Sequence, residues 1–195
     1  ETATNKISPQ KPQVEGSFYS NLQGALVNTR RKLDLALGGE GFFVISGPWG
    51  EGYTRDGRFQ ADKDGRLISV AGNYPLNGRG GPIVVSPGAE IEITQNGEVK
   101  VDKVTVDTIR VIVPEQAGAL ESLNGSIFKK KDVYAVLQEV ENPRVIQGYV
   151  ETSNVNVIDQ MMEMILLERI YNINSKVISA RDANLSRALE LGRTQ

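Results

Sequence analysis

The stretch Asn154-Val-Asn-Val-Ile-Asp-Gln-Met-Met-Glu-Met-Ile-Leu-Leu-Glu-Arg-Ile-Tyr-Asn-Ile-Asn-Ser-Lys-Val-Ile178, continuing to Leu191, decides the fold. It contains neither Pro nor Gly. Asn156 has the side chain of an N-cap, and Asp159 follows it near the positive end of the helix dipole. One apolar row runs Met162, Leu166, Ile170, Ile173, Val177, Ala180; a second runs Val157, Met161, Met164, Tyr171, Ile178, Leu185, Leu189. Both rows have helical spacing. The spacing predicts a single helix about 50 Å long at 1.5 Å per residue. Two apolar rows on so long a rod need a partner, and no other segment of the sequence reads as one. A small β domain covers only part of such a length. Packing against a partner helix is therefore expected, through Val157, Met161, Met162, Ile165, Leu166, Ile170, Ile173 and Val177. Arg169, Lys176, Asp182 and Arg187 interrupt the rows, so the packing is not a uniform zipper. The polar positions are mixed in sign, which argues against a membrane-surface helix.

Upstream of this stretch the hydrophobic period changes from 3.6 to two. Leu33, Leu35 and Leu37 alternate with Asp34 and Ala36, as in a half-buried strand. Gly38-Gly39-Glu40-Gly41 breaks the run, and Phe42-Phe43-Val44-Ile45 starts the next. Asp-Gly or Asn-Gly pairs recur at Asp56-Gly57, Asp64-Gly65, Asn77-Gly78, Asn96-Gly97 and Asn124-Gly125. Such pairs supply the positive φ of tight hairpin turns. Short strands are expected at 52–55, 58–61, 66–70, 83–85, 91–93, 99–101, 104–113, 133–140 and 145–149. The predicted fold class is mainly β: an antiparallel β body of short strands and hairpins with a long C-terminal α-helix. The predicted divisions are an extended or disordered segment over 1–31, an all-β body over 32–150, and a helix for assembly over 151–195. Residues 17–31 read as an extended arm or a short helix.

Composition excludes several functions. The chain has 195 residues, 39% hydrophobic and 24% charged, ordinary for a globular protein. A net charge of -2 leaves no electrostatic footprint for nucleic acid. Lys129-Lys130-Lys131 reads as a solvated turn. Cysteine and histidine are absent, which removes disulfides, thiol chemistry and the commonest general base and metal ligand. No run of 18 apolar residues spans a membrane. Residues 1–10 are polar and lack the apolar core of a secretory signal.

Local patterns that imitate sites fail on context. Gly39-Glu40-Gly41 lacks the third Gly of a dinucleotide fingerprint and stands between strands. Asp62-Lys63-Asp64-Gly65 resembles a calcium loop, but aligning its Gly puts Gln60 first and Ala71 twelfth, where carboxylates are needed. Ser126-Ile-Phe-Lys129 matches Ser-x-x-Lys without the helix or the partner motifs that chemistry requires. Phe42, Phe43, Tyr53 and Phe59 read as β core. Trp49, in a Gly-Pro-Trp-Gly turn, reads either as a cap over the sheet or as an exposed contact anchor. No catalytic, cofactor-binding or metal-ligating residue is expected.

Three stretches resemble the bacterial flagellar basal-body rod and hook proteins. The first is Leu33-Asp-Leu-Ala-Leu-Gly-Gly-Glu-Gly41-Phe42-Phe43-Val44. The second is Tyr53-Thr54-Arg55-Asp56-Gly57-Arg-Phe59, followed by Asp64-Gly-Arg-Leu67 and Gly72-Asn-Tyr-Pro75. The third is Gly148-Tyr-Val-Glu-Thr152-Ser153-Asn154-Val-Asn156-Val157, leading into the helix. Each is weak alone; three in the family's order are specific. The resemblance implies a structural subunit, not an enzyme, that polymerises into a tubular helical drive shaft. It implies partnership with copies of itself and with other rod or hook subunits, and no cofactor, small-molecule substrate or membrane insertion. The implied location is the basal body of the bacterial flagellum, in the periplasm-spanning rod, reached by type III export without a cleaved signal peptide. Gly80-Gly81-Pro82-Ile83 after Tyr74-Pro75 is more similar to proximal rod members; Glu151-Thr-Ser-Asn-Val-Asn156 is also similar to distal ones. Family members begin with an amphipathic helix that residues 1–12 do not match, so the chain is expected to be truncated or to have an unusual head. A different reading of the residues is a periplasmic or cell-surface β-domain binding module, or a hydrolase acting on cell-wall polymer. That reading requires a converging carboxylate pair.

Overall fold

The computed structural model describes residues 23–116, 118–132 and 134–192. In chain order the strands are β1 (Leu26–Asn28), β2 (Leu35–Leu37), β3 (Phe42–Gly47), β4 (Gly50–Thr54), β5 (Phe59–Ala61), β6 (Leu67–Ser69), β7 (Asn77–Gly78) and β8 (Gly81–Pro82). They continue as β9 (Ile91–Ile93), β10 (Glu98–Val101), β11 (Val104–Thr108), β12 (Val111–Pro114), β13 (Leu120–Asn124), β14 (Ile127–Lys130), β15 (Leu137–Glu139), β16 (Val145–Gln147) and β17 (Tyr149–Glu151). The helix α1 (Val157–Gly192) follows. All strand pairings among the described residues are antiparallel. The mainly β architecture with one long terminal helix is thus as expected. The expectations for residues 1–22 and for a strand start at Val133 lie outside the described residues.

The five Asp-Gly and Asn-Gly pairs serve two purposes. Gly65, Gly97 and Gly125 have positive φ and close the hairpins β5–β6, β9–β10 and β13–β14. Asp56-Gly57 and Asn77-Gly78 do not turn hairpins, contrary to expectation. A Cβ on Gly57 would run into the Leu35 carbonyl, and one on Gly78 into the Asp107 carboxylate. These two glycines allow close approach rather than positive φ. The tight turn between β10 and β11 instead uses Asp102 and Lys103, at φ 50° and 70°.

The largest sheet has the order β13-β14-β4-β3-β12-β15. Alternation along β3 sends Phe43 and Ile45 into the main core and Phe42 and Val44 to the other face. Phe43 meets Phe59 edge-on at 5.5 Å, inside a cluster that includes Leu35, Leu67, Leu76, Ile83, Val99 and Ile109. On the second face Val44, Tyr53 and Ile112 are also buried. Leu120 from one edge strand and Leu137 from the opposite edge strand both pack on that cluster. The second face of the sheet therefore carries a smaller apolar cluster of its own that reaches both edges.

Several expected strands are divided or more buried than a period of two suggests. Asp34, Leu35, Ala36 and Leu37 are all buried, so β2 is not half-exposed; it pairs with β16, and β17 lies alongside. The run 104–113 breaks where Ile109 N–H donates to Gly97 O and Arg110 N–H to Asn77 O. The run 145–149 breaks at Gly148, whose φ is 81°. Lys129 and Lys130 lie in β14 rather than in a solvated turn, with the Lys129 ammonium 2.9 Å from Glu121. The chain divides into two units, the first ending at Thr152 and the second beginning at Ser153.

Candidate assembly elements: a two-faced helix and a clasped pair of strands

At the start of α1 the Asn156 side chain accepts the Ile158 N–H at 3.0 Å, satisfying one of the helix's first free donors. The 36 residues span about 54 Å at 1.5 Å per residue. Apolar side chains from Val157 to Leu185 are 46–73% exposed. At about 100° per residue, Met162, Leu166, Ile170, Ile173 and Val177 fall on one face. Val157, Met161, Met164, Tyr171 and Ile178 fall on a second face roughly 150° round the axis, with Ile165 between them. The helix is apolar on two sides rather than one. A helix with that pattern is stable in contact with partners on both sides.

The motif residues are brought together at the other unit's margin. Arg55 follows β4, whose residue Thr54 pairs with Phe43 and whose hydroxyl donates to Ser126 O. The same hydroxyl accepts the Asp56 N–H. The Arg55 guanidinium makes three bonds: Nε to Glu151 Oε2 at 2.8 Å, Nη1 to Gly41 O at 2.7 Å and Nη2 to Gly39 O at 2.6 Å. The second oxygen of Glu151 accepts the Gly24 N–H at 2.9 Å. Both side chains of the ion pair are largely buried. Gly41 has φ 135°, and a Cβ there would press on Val111, so the carbonyl that Arg55 reads is held by a position suited to Gly. Thr152 joins the same cluster; its N–H and hydroxyl both donate to Ala25 O.

The remaining predicted site residues are elsewhere. Phe42 and Phe43 are packing residues on opposite sheet faces, and Gly57 seats Leu35. Asp56 pairs with Arg58. Ser153 accepts the Val155 N–H, and Asn156 caps the helix. Ser126 and Lys129 lie on a hairpin, with the lysine turned to Glu121. Asp62 is committed to its turn: desolvation pushes its pKa up, but bonds from the Arg66 guanidinium and the Arg66 and Asp64 N–H groups win and hold it low. Trp49 is a cap, edge-on to Tyr74 at 4.7 Å, rather than an exposed anchor.

Sequence reasoning missed the partners Gly24 and Gly39, and a second charged network. Arg110 bonds Glu51 and Glu139, and Arg79 also bonds Glu139. The Tyr53 hydroxyl donates to Glu51 at 3.3 Å. Burial, then the Glu51 charge, pushes the Tyr53 phenol up to about 12. No spacing rule joins residues 51, 110 and 139, so the sequence held no signal for them. No group of three or more His, Cys, Asp or Glu side chains suited to a metal ion occurs among the described residues.

Comparison with known proteins covers both elements. Residues 146–191, holding β17 and most of α1, match the family model described as "Flagellar basal body rod FlgEFG protein C-terminal". Residues 36–101, holding Gly41 and Arg55, match "Flagellar hook protein FlgE/F/G D1 domain". The chain is 34% identical over 182 residues to flagellar basal-body rod protein FlgF of Escherichia coli (strain K12), covering 86% of this chain and 71% of the relative. It is 30% identical over 175 residues to FlgF of Rhizobium meliloti (strain 1021), covering 89% of this chain and 72% of the relative. It is 33% identical over 199 residues to flagellar basal-body rod protein FlgG of Buchnera aphidicola subsp. Schizaphis graminum (strain Sg), covering 93% of this chain and 72% of the relative.

Proposed function

Because the chain belongs to the family of flagellar basal-body rod proteins, we propose that it is a structural subunit of the rod that assembles through α1 with copies of itself and with other rod or hook subunits. The observation that carries this reading is the helix with two exposed apolar faces. Burying one such side chain contributes about 1.5–3 kcal/mol, so a partner along one face supplies a large stabilisation. Two faces allow contacts on opposite sides of one helix. Repeated contacts between unlike surfaces, where they do not close on themselves, build an open helical tube. The reading places the protein in the basal body, in the proximal or the distal rod, after export without a cleaved signal. It assigns no catalytic residue; the work of the molecule lies in its surfaces.

The test is a variant carrying Met162→Asp, Leu166→Asp and Ile170→Asp, introduced in place of the natural gene. The expected result is loss of motility and of complete rods in purified basal bodies, while the isolated protein keeps the β-sheet circular dichroism of the natural chain. Normal rods and normal swimming would overturn the assignment of this face.

A further inference from the structure

The first described strand of the β unit, β1, pairs with its last strand, β17. Their outermost rung joins Ala25 to Thr152. In an antiparallel pair whose free ends lie on the same side, a pull that separates the ends loads the rungs one at a time. Opening therefore begins at the outermost rung. That rung is where side chains converge: Thr152 adds its hydroxyl to the bond with Ala25 O, and Glu151 takes the Gly24 N–H. Glu151 is in turn held by Arg55, whose other two nitrogens each donate to a carbonyl, Nη1 to Gly41 and Nη2 to Gly39, in the loop before β3. One guanidinium thus ties the incoming segment, the outgoing strand, the end of β4 and the glycine loop. Arg suits this place because its planar fork serves several acceptors at fixed angles, which a Lys ammonium does not.

We propose that Arg55 is a positioning residue, a clasp at the mouth of the β1–β17 ribbon that keeps the ribbon from peeling away from the body ahead of global unfolding. Without it, Glu151 is left with a largely buried charge facing one backbone donor, and the three-residue strand β1 depends on its rungs alone. Short elements of this kind open as local units below the global unfolding energy. The clasp joins them to the cooperative core. The inference concerns the single chain, so motile Asp variants of α1 would overturn the assignment of the helix face and leave it standing.

The experiment is amide hydrogen exchange on the full chain and on Arg55→Ala and Arg55→Lys. In Arg55→Ala the Gly24, Thr29 and Thr152 amides are expected to exchange at least roughly tenfold faster. The core amides of Val44, Leu67 and Ile83 keep their protection. Arg55→Lys retains the charge but not the fork, and falls between. Equal acceleration of both sets would make Arg55 an ordinary stabilising residue and overturn the proposal; so would no acceleration at the ribbon. Should Arg55→Ala fail to fold, Arg55→Lys and Glu151→Gln are judged by the same selective pattern.

Discussion

Lys103 stands at φ 70°, beside Asp102 at φ 50°, in the turn that joins β10 to β11. Two successive positive φ values define the mirror-image turn that suits the twist of a hairpin, and Asp-Gly is among its preferred sequences. Asp102 uses its position: its carboxylate and N–H bond the backbone of Glu90. Lys103 is exposed and carries the conformational cost of a side chain there. Lys103→Gly should therefore stabilise the body by about 1 kcal/mol, after the larger chain entropy of Gly in the unfolded state is subtracted. Thermal melting checks it; a lower melting temperature would show that the lysine contributes more than its backbone costs. The same turn marks what could be read at this scale. Asp-Gly and Asn-Gly pairs announced three hairpins, yet the two-residue turn from β10 to β11 lacks Gly. Two of the pairs serve packing against Leu35 and Asp107 instead. A glycine's identity in the sequence does not say whether it supplies φ or space.

Among elements, α1 was the most legible, because helical periodicity over nearly forty residues and an Asn before its first turn are local signals. Its N-terminal signal is physical: the Asn156 carboxamide takes the Ile158 N–H. Asn156→Ala should weaken the first turn by about 1 kcal/mol. The expected readout is faster amide exchange confined to the residues around Ile158, with the rest of the helix unaffected. Unchanged exchange there would mean that the cap bond contributes nothing in solution. Strand limits were less legible, for the opposite reason. The breaks at Gly148 and at Ile109–Arg110 are set by which distant strand each half pairs with. Val104 to Val113 is mostly strand formers apart from Asp107 and Arg110, and it divides where Ile109 and Arg110 donate to the carbonyls of Gly97 and Asn77. The Arg55 cluster was half legible. Gly39, Gly41, Arg55 and Glu151 fall in motifs that were singled out and Gly24 does not, and the bonds among these residues are long-range, with no spacing to betray them.

At the scale of the whole body, the buried Tyr53 links global stability to pH. Free tyrosine ionises near pH 10, whereas burial and Glu51 push Tyr53 up to about 12 in the folded body. Across that window the unfolded chain binds fewer protons than the folded one at this site. Stability contributed by the neutral phenol is complete below about pH 10 and is lost as pH rises toward 12. Denaturant melts through this range should show the decline, and Tyr53→Phe should make it shallower. An equally steep decline in the variant would place its origin elsewhere.

The pairing of β1 with β17 has one more consequence. Because the first and last described strands of the β unit are neighbours, its described span forms a branch closed off by its own base. Domains with adjacent ends tolerate being moved into and out of other chains. A lineage could lengthen this branch, trim it or exchange it for another with the same base, while the segments on either side kept their spacing. A designer could graft a foreign domain at the same two strands.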